Sequence, residues 1–252
     1  MALWNHRTTN EPDSASLHNY WANNQLPIVT SKVNYYGHWS GTDSEDNFKK
    51  NPKSGYTEKS VYYQYNSWGY RTKSFDLQKK RPSIICLGCS FTEGIGVNYL
   101  DTWVSKIENY FPEYNVYNMG VSGGSGDTVA RLLYNIGDIL NTKMVFILWP
   151  HMFRHEIYNN DHAINNVTPS SGVFSPEMLT DINFYNIRSK NKAIVSMCQQ
   201  LYGYTVIQED VANLQKDKCP IVDRGRDNHP GPKWHNDIAE HFIKKYNDNT
   251  TI

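Results

Sequence analysis

Apolar and polar positions fall into two regimes along this chain. Up to about residue 80, short apolar runs are scattered among Asn, Ser, Asp and Lys. Beyond it, compact apolar blocks alternate with stretches of helical period. Ile84, Ile85, Cys86 and Leu87 stop at Gly88, as a buried parallel strand does when it ends in a tight loop that feeds a helix. Asp101-Thr102-Trp103 then caps a helix to about Tyr110, with Val104 and Ile107 inward. Val116 to Asn118 reads as a second strand, followed by a glycine-rich loop from Met119 to Asp127. A helix over Thr128 to Leu140 follows. Met144 to Leu148 is the clearest buried strand.

Residues 157 to 175 read as a loop or lid. A long helical pattern runs from Ser175-Pro176 to Leu201, with Ile187, Ala193, Ile194, Met197 and Leu201 as its inner face and Gly203 as its stop. Tyr204 to Ile207 is a fourth parallel strand, Ile221-Val222 a short fifth, and Asn236 to Lys245 a final amphipathic helix.

The N-terminal third belongs to a different regime. Residues 1 to 56 carry scattered aromatics (Trp4, Tyr20, Trp21, Tyr35, Tyr36, Trp39), too many for a disordered tail. An irregular or short-stranded wrap docking on the main domain is expected. Val61 to Tyr65 is strand-prone, and Asn66-Ser67-Trp68-Gly69-Tyr70-Arg71 supplies a turn packing on a sheet edge. Lys79-Lys80-Arg81-Pro82 is a polar joint. It divides an accessory extension, 1–81, from a catalytic-type domain, 82–252.

Charge narrows the partners. Lys+Arg and Asp+Glu are both 25, so no global field attracts nucleic acid or an anionic membrane. No apolar stretch approaches membrane-spanning length, and the first residues carry no secretory-signal pattern. The four cysteines (86, 89, 198, 219) form no metal-type pairing. Reduced thiols and a cytoplasmic location follow as expectations. The surplus of Tyr (18) and Trp (7) suits grooves for sugars as well as cores.

Ser90 sits just past the first strand's carboxyl end, where open α/β sheets place ligands. Gly88-Cys89-Ser90-Phe91-Thr92-Glu93-Gly94 resembles the first block of the GDSL (SGNH) hydrolases, G-D-S-x-T-x-G, with Cys89 in the Asp slot. Asn118-Met119-Gly120 and its glycines resemble the second block. A glycine-rich loop opening a helix can also cradle phosphate. No Gly-Lys-Ser/Thr follows it, however. The third block, G-x-N-D, is degenerate: the strand runs into Trp149-Pro150-His151, with Arg154 after it, and resembles a variant in some phage-encoded members. His151 and His155, spaced i,i+4, have a rival meaning as metal ligands, but no H-E-x-x-H accompanies them. Asp227-Asn228-His229-Pro230-Gly231 resembles the fifth block, D-x-x-H, one residue shorter.

The resemblance implies a three-layer α/β/α, flavodoxin-like sandwich with a mainly parallel sheet of about five strands, and a serine esterase without external cofactor or metal. Ser90 would be the nucleophile, His229 the base and Asp227 its orienting acid, with Asp223 as the alternative acid and His235 as a second candidate base. Ser90 and Gly120 N–H with His151 would bind the oxyanion; Arg154 and Trp149 would contact substrate. The expected substrate is a small-molecule or glycan ester, an O-acetylated sugar first. The competing reading is an SGNH-fold carbohydrate-binding or virion structural protein that has lost turnover, which a virion-associated location would suit.

Overall fold

The computed structural model describes residues 30–137, 139–158, 164–168, 180–218 and 223–250. Its elements in chain order are β1 (Tyr36–Gly37), α1 (Glu45–Lys50), β2 (Tyr63–Gln64), β3 (Ser83–Gly88), α2 (Ser90–Glu93), α3 (Trp103–Tyr110), β4 (Asn115–Gly120) and α4 (Gly126–Ile136). Then come β5 (Thr142–Trp149), β6 (His155–Tyr158), β7 (Ile164–Val167), α5 (Asp181–Tyr202), β8 (Thr205–Asp210), α6 (Val211–Lys218) and α7 (Pro232–Thr250).

The central sheet is parallel throughout, in the order β4-β3-β5-β8. The chain moves from β3 to one side and then crosses back to the other. That reversal puts the topological switch point at the carboxyl ends of β3 and β5, where ligands of such sheets bind.

Strand alternation sorts the side chains into two cores. Ile84 and Cys86 of β3, Val116 of β4, and Met144, Phe146 and Leu148 of β5 pack with α3 (Trp103, Val104, Ile107) and α7 (Trp234, Ile238, Phe242). Ile85, Leu87, Tyr117, Met119, Val145 and Ile147 pack with α4 (Val129, Leu132, Leu133, Ile136) and α5 (Val195, Cys198). Helices therefore cover both faces, and the three-layer α/β/α expectation holds, with four sheet strands among the described residues. The expected fifth strand, Ile221-Val222, lies outside the described residues, as do Trp4, Tyr20, Trp21 and the helix start at Ser175-Pro176.

Two expectations are corrected. The buried stripe of α5 is Phe184, Arg188, Asn191, Val195 and Cys198, whereas Met197 and Leu201 are exposed. Hydropathy gave the wrong phase because two stripe positions are polar. Arg188 pairs with Asp210 at 3.1 Å, and Asn191 Nδ2 donates to Asp127 Oδ1 at 3.0 Å. The stretch read as a lid begins instead as an antiparallel hairpin, His155↔Val167 to Tyr158↔Ile164. Glu156 pins it to α4, accepting from Arg131 Nε at 2.9 Å and Thr128 Oγ1 at 2.6 Å.

Residues 30–81 pack on the β4 edge of the sheet, where Asn118 N donates to Thr72 Oγ1 at 3.2 Å and Phe75 meets the Tyr117 ring at 5.0 Å, and they also interlock with the strand-end loops. Asn66 Oδ1 accepts from Trp68 N (2.9 Å) and Tyr70 N (3.1 Å), closing the turn that aims Arg71 inward. Arg71 is buried and spends its guanidinium on carbonyls: Tyr62 and Val97 at 2.9 Å, Glu93 at 3.2 Å, and Gly94. Three of these carbonyls belong to the loop that leaves Ser90. Arg226, equally buried, grips Asp43 with two bonds of 2.8 and 2.7 Å and stacks on Trp39 at 3.9 Å. Replacing Asp43 by Ala should strand this guanidinium and cost about 3–5 kcal/mol in urea unfolding. The Asp43→Ala/Arg226→Met double variant should lose less. A double variant that loses as much as the sum of the singles would contradict a coupled pair.

Candidate active site

β3 delivers Ser90 at the switch point. Cys89 caps the short α2, its carbonyl accepting from Thr92 N (2.9 Å) and Glu93 N (3.0 Å), so Ser90 becomes the first helical residue with an N–H outside the intrahelical ladder. Cys89 itself is buried. Gly120 lies against this turn: a Cβ there would meet Glu93 N at 2.2 Å. Only glycine lets β4 run this close to α2.

His229 reaches the same point from the loop before α7. Its Nε2 lies 2.9 Å from Ser90 Oγ, and its Nδ1 lies 2.7 Å from Asp227 Oδ2. A carboxylate only accepts, so the pair sets the tautomer with the proton on Nδ1 and Nε2 free to accept from the serine hydroxyl. Asp227 and His229 are separated by one residue, and Asn228 makes the bend with φ 76°. Asn tolerates this left-handed region better than most side chains. Asp227 Oδ1 also accepts from His229 N at 3.2 Å. Gly96, at φ 84°, leaves the room for that oxygen, which a Cβ would approach to 2.3 Å. Burial pushes the Asp227 carboxyl up, but the hydrogen bonds from His229 and Thr42 outweigh it and hold the pKa below its ordinary value.

Asp223 does not share this duty. Its Oδ2 accepts from Trp234 N at 2.7 Å, capping α7. His235 is buried in that helix, and its Nδ1 accepts from Trp103 N–H at 3.3 Å. Burial, assisted by the charges of Arg71 and His229, pushes its pKa down to about 3.

The remaining expected residues divide. His151 lies edge-on to Phe91 (6.4 Å between rings), and Phe91 in turn contacts His229 (5.4 Å). Burial and the nearby Arg154 and Arg188 lower the His151 pKa, so the ring is neutral at neutral pH and keeps one N–H donor. His155, paired with it on spacing, turns away to stack on Phe184 (5.5 Å) beside Asp127. Arg154 is partly buried, and its Nη1 has no hydrogen-bond partner among the described residues. Two expectations fail. The Gly120 N–H is committed to Asn118 Oδ1 at 3.0 Å, so it is not free for an oxyanion. Trp149 is fully buried on the α4–α5 side, where Arg188 stacks on it and its indole N–H donates to Gln208 at 2.7 Å, so it does not line the site.

Sequence reasoning missed the second layer. Thr42 Oγ1 donates to Asp227 Oδ2 at 2.6 Å. Glu93, buried just after the serine, accepts from Lys32 Nζ and Tyr65 OH at 2.5 Å and from Ser122 N and Oγ at 2.6 Å. Burial opposes ionisation of Glu93, but Lys32, Ser122 and Tyr65 keep its pKa lowered. Glu93 was legible as an acidic residue inside the motif; Thr42 and Lys32 sit far off in sequence with no local signature.

No family model and no curated protein matches the chain. Solved structures that resemble it include a lipolytic protein of the G-D-S-L family from Veillonella parvula, with 16% identity, 65% of this chain and 97% of that one covered, and a TM-score of 0.36. The psychrotrophic esterase EstA from Pseudoalteromonas sp. gives 14%, 66%, 98% and 0.36. A putative acylhydrolase from Bacteroides fragilis gives 12%, 71%, 91% and 0.34. Likenesses this distant carry no argument about chemistry, which rests on the geometry above. Among the described residues, no helix is long and apolar enough to cross a membrane.

The buried acceptor role of His235 has a pH signature. The unfolded chain protonates it near pH 6.5 and the folded protein only near 3, so it contributes stability above 6.5 that is lost as the pH falls through that window. Its ring resonances should stay unshifted from about pH 8 to about pH 5 in an NMR titration. A midpoint near 6.5 would contradict the assignment.

Proposed function

We propose that the chain is a serine ester hydrolase of the GDSL kind. The observation that carries this reading is the continuous Ser90–His229–Asp227 relay, 2.9 and 2.7 Å, at the switch point of a parallel sheet. His229 Nε2 takes the Ser90 proton as Oγ attacks an ester carbonyl, and the Asp227 carboxylate stabilises the imidazolium that forms. The tetrahedral intermediate collapses as the imidazolium protonates the leaving alkoxide. Water, deprotonated by His229, then releases the acyl group.

The Ser90 N–H and the neutral His151 ring are the oxyanion donors in this scheme, each worth about 3–4 kcal/mol. Substrate contact falls to Phe153 and to Arg154, whose guanidinium charge suits a hydroxyl or carboxylate oxygen. Phe153 is partly exposed and stacks on His151 at 5.2 Å. An exposed ring beside His151 suits the apolar face of a sugar, so a small acyl ester on a carbohydrate, O-acetyl first, is the substrate class we assign.

Hydrolysis of p-nitrophenyl acetate tests the reaction. Ser90→Ala and His229→Ala should each abolish turnover, and Asp227→Asn should lower kcat by about two to four orders of magnitude by disturbing the tautomer. A loss of less than about tenfold in Asp227→Asn would reduce the relay to a Ser–His dyad. Acetate release from an O-acetylated polysaccharide, preferred over long-chain p-nitrophenyl esters, checks the substrate class; the reverse preference would overturn it.

A further inference from the structure

The acid of the relay is held by a residue from the other end of the chain. Thr42 Oγ1 donates to Asp227 Oδ2 at 2.6 Å, the same oxygen that accepts from His229 Nδ1. The next residue on each side repeats the contact: Asp43 grips Arg226 through two bonds of 2.8 and 2.7 Å, with the pair fully buried. Two consecutive residues of the N-terminal segment thus engage two consecutive residues of the histidine loop.

The clasp is fixed from behind on both sides. Asp43 also accepts from Tyr63 OH at 2.6 Å, and Ser40 and Asp43 exchange backbone bonds of 2.9 and 3.1 Å. Arg226 N donates to Gly96 O at 2.8 Å, tying the histidine loop to the loop that follows Ser90. Thr42 is therefore carried on a rigid mount, although its own side chain is near the surface.

We propose that Thr42 is a positioning residue of the Ser90–His229–Asp227 relay, supplied by the N-terminal segment and set in register by the Asp43–Arg226 pair. Without its hydroxyl, Oδ2 is held, among the described residues, by the histidine alone, and the carboxylate's rotation by the longer 3.2 Å bond to His229 N. The hydroxyl also draws on the charge of Oδ2. Removing it leaves more of that charge to face His229, so the ring should hold its proton to higher pH. Among the described residues, the other charged groups around the pair are themselves engaged. Arg226 is neutralised by Asp43, and Arg224 donates to Asn228 O at 3.0 Å. Asp223 is engaged at the start of α7, and His235 accepts from Trp103.

The kinetic arm of the test rests on the hydrolase reading; the spectroscopic arm does not. Thr42→Val should keep the melting temperature while lowering kcat about tenfold with KM within about twofold, since the contact acts on the relay rather than on substrate. The acid limb of the kcat/KM profile, and the His229 ring titration followed by NMR, should move up by about half a pH unit. Thr42→Ser, which keeps the hydroxyl, should restore both. Should the wild-type protein hydrolyse no ester, the hydrolase reading fails, and the NMR titration still decides this proposal. An upward shift in Thr42→Val that Thr42→Ser reverses supports the clasp. An unmoved titration, or a serine variant as altered as the valine one, overturns it.

Discussion

The two-residue step between Asp227 and His229 is the constraint on which the proposed site depends. Asp227 and His229 must point to one side of a loop that advances by a single intervening residue. Asn228 meets that demand by entering the left-handed region at φ 76°. A backbone held in this region stays there only when its surroundings over-determine it. Here they do. Arg226 is anchored to Asp43 and to the carbonyls of Glu58 and His38 before the bend. After the bend, Gly225 N bonds to His229 O at 2.7 Å, and Gly231 N to Asp223 O at 3.1 Å. The loop is pinned at both ends, so the shortened spacing does not cost the contact.

The N-terminal segment is accordingly part of the site's architecture. Two buried guanidiniums, Arg71 and Arg226, and two buried carboxylates, Asp43 and Glu93, join it to the sheet-end loops. Arg71 collects the carbonyls of the loop after Ser90, Arg226 fastens the histidine loop, and Glu93 gathers Lys32, Tyr65 and Ser122 around α2. Each charge has a paired partner or several hydrogen-bond acceptors, which is the condition under which a buried charge is tolerated. Such networks tend to be all-or-none, because removing one member leaves the others desolvated and unsatisfied.

Much of the sandwich was readable because its strands are continuous apolar runs and its helices are capped by side chains next to them in sequence. Thr102 and Ser125 cap α3 and α4 in this way, and Gly203 ends α5 in the left-handed conformation. What was hidden depends on partners far along the chain. The phase of α5 follows from Arg188 and Asn191 meeting Asp210 and Asp127, which hydropathy cannot anticipate. Gly120 looks like an oxyanion donor on motif grounds, yet Asn118, two residues before it, takes its N–H. Ser90 and His229 announced themselves through local turns and glycines, whereas Thr42, 185 residues from Asp227, announces nothing.

The central claim is that His229 and Asp227 make Ser90 a nucleophile. Its most direct measurement is covalent capture: the protein treated with a fluorophosphonate probe, then intact mass and peptide mapping. The account predicts one adduct per chain, located on Ser90 and absent after prior heat unfolding. A folded protein that stays unlabelled, or an adduct on another residue, would contradict it.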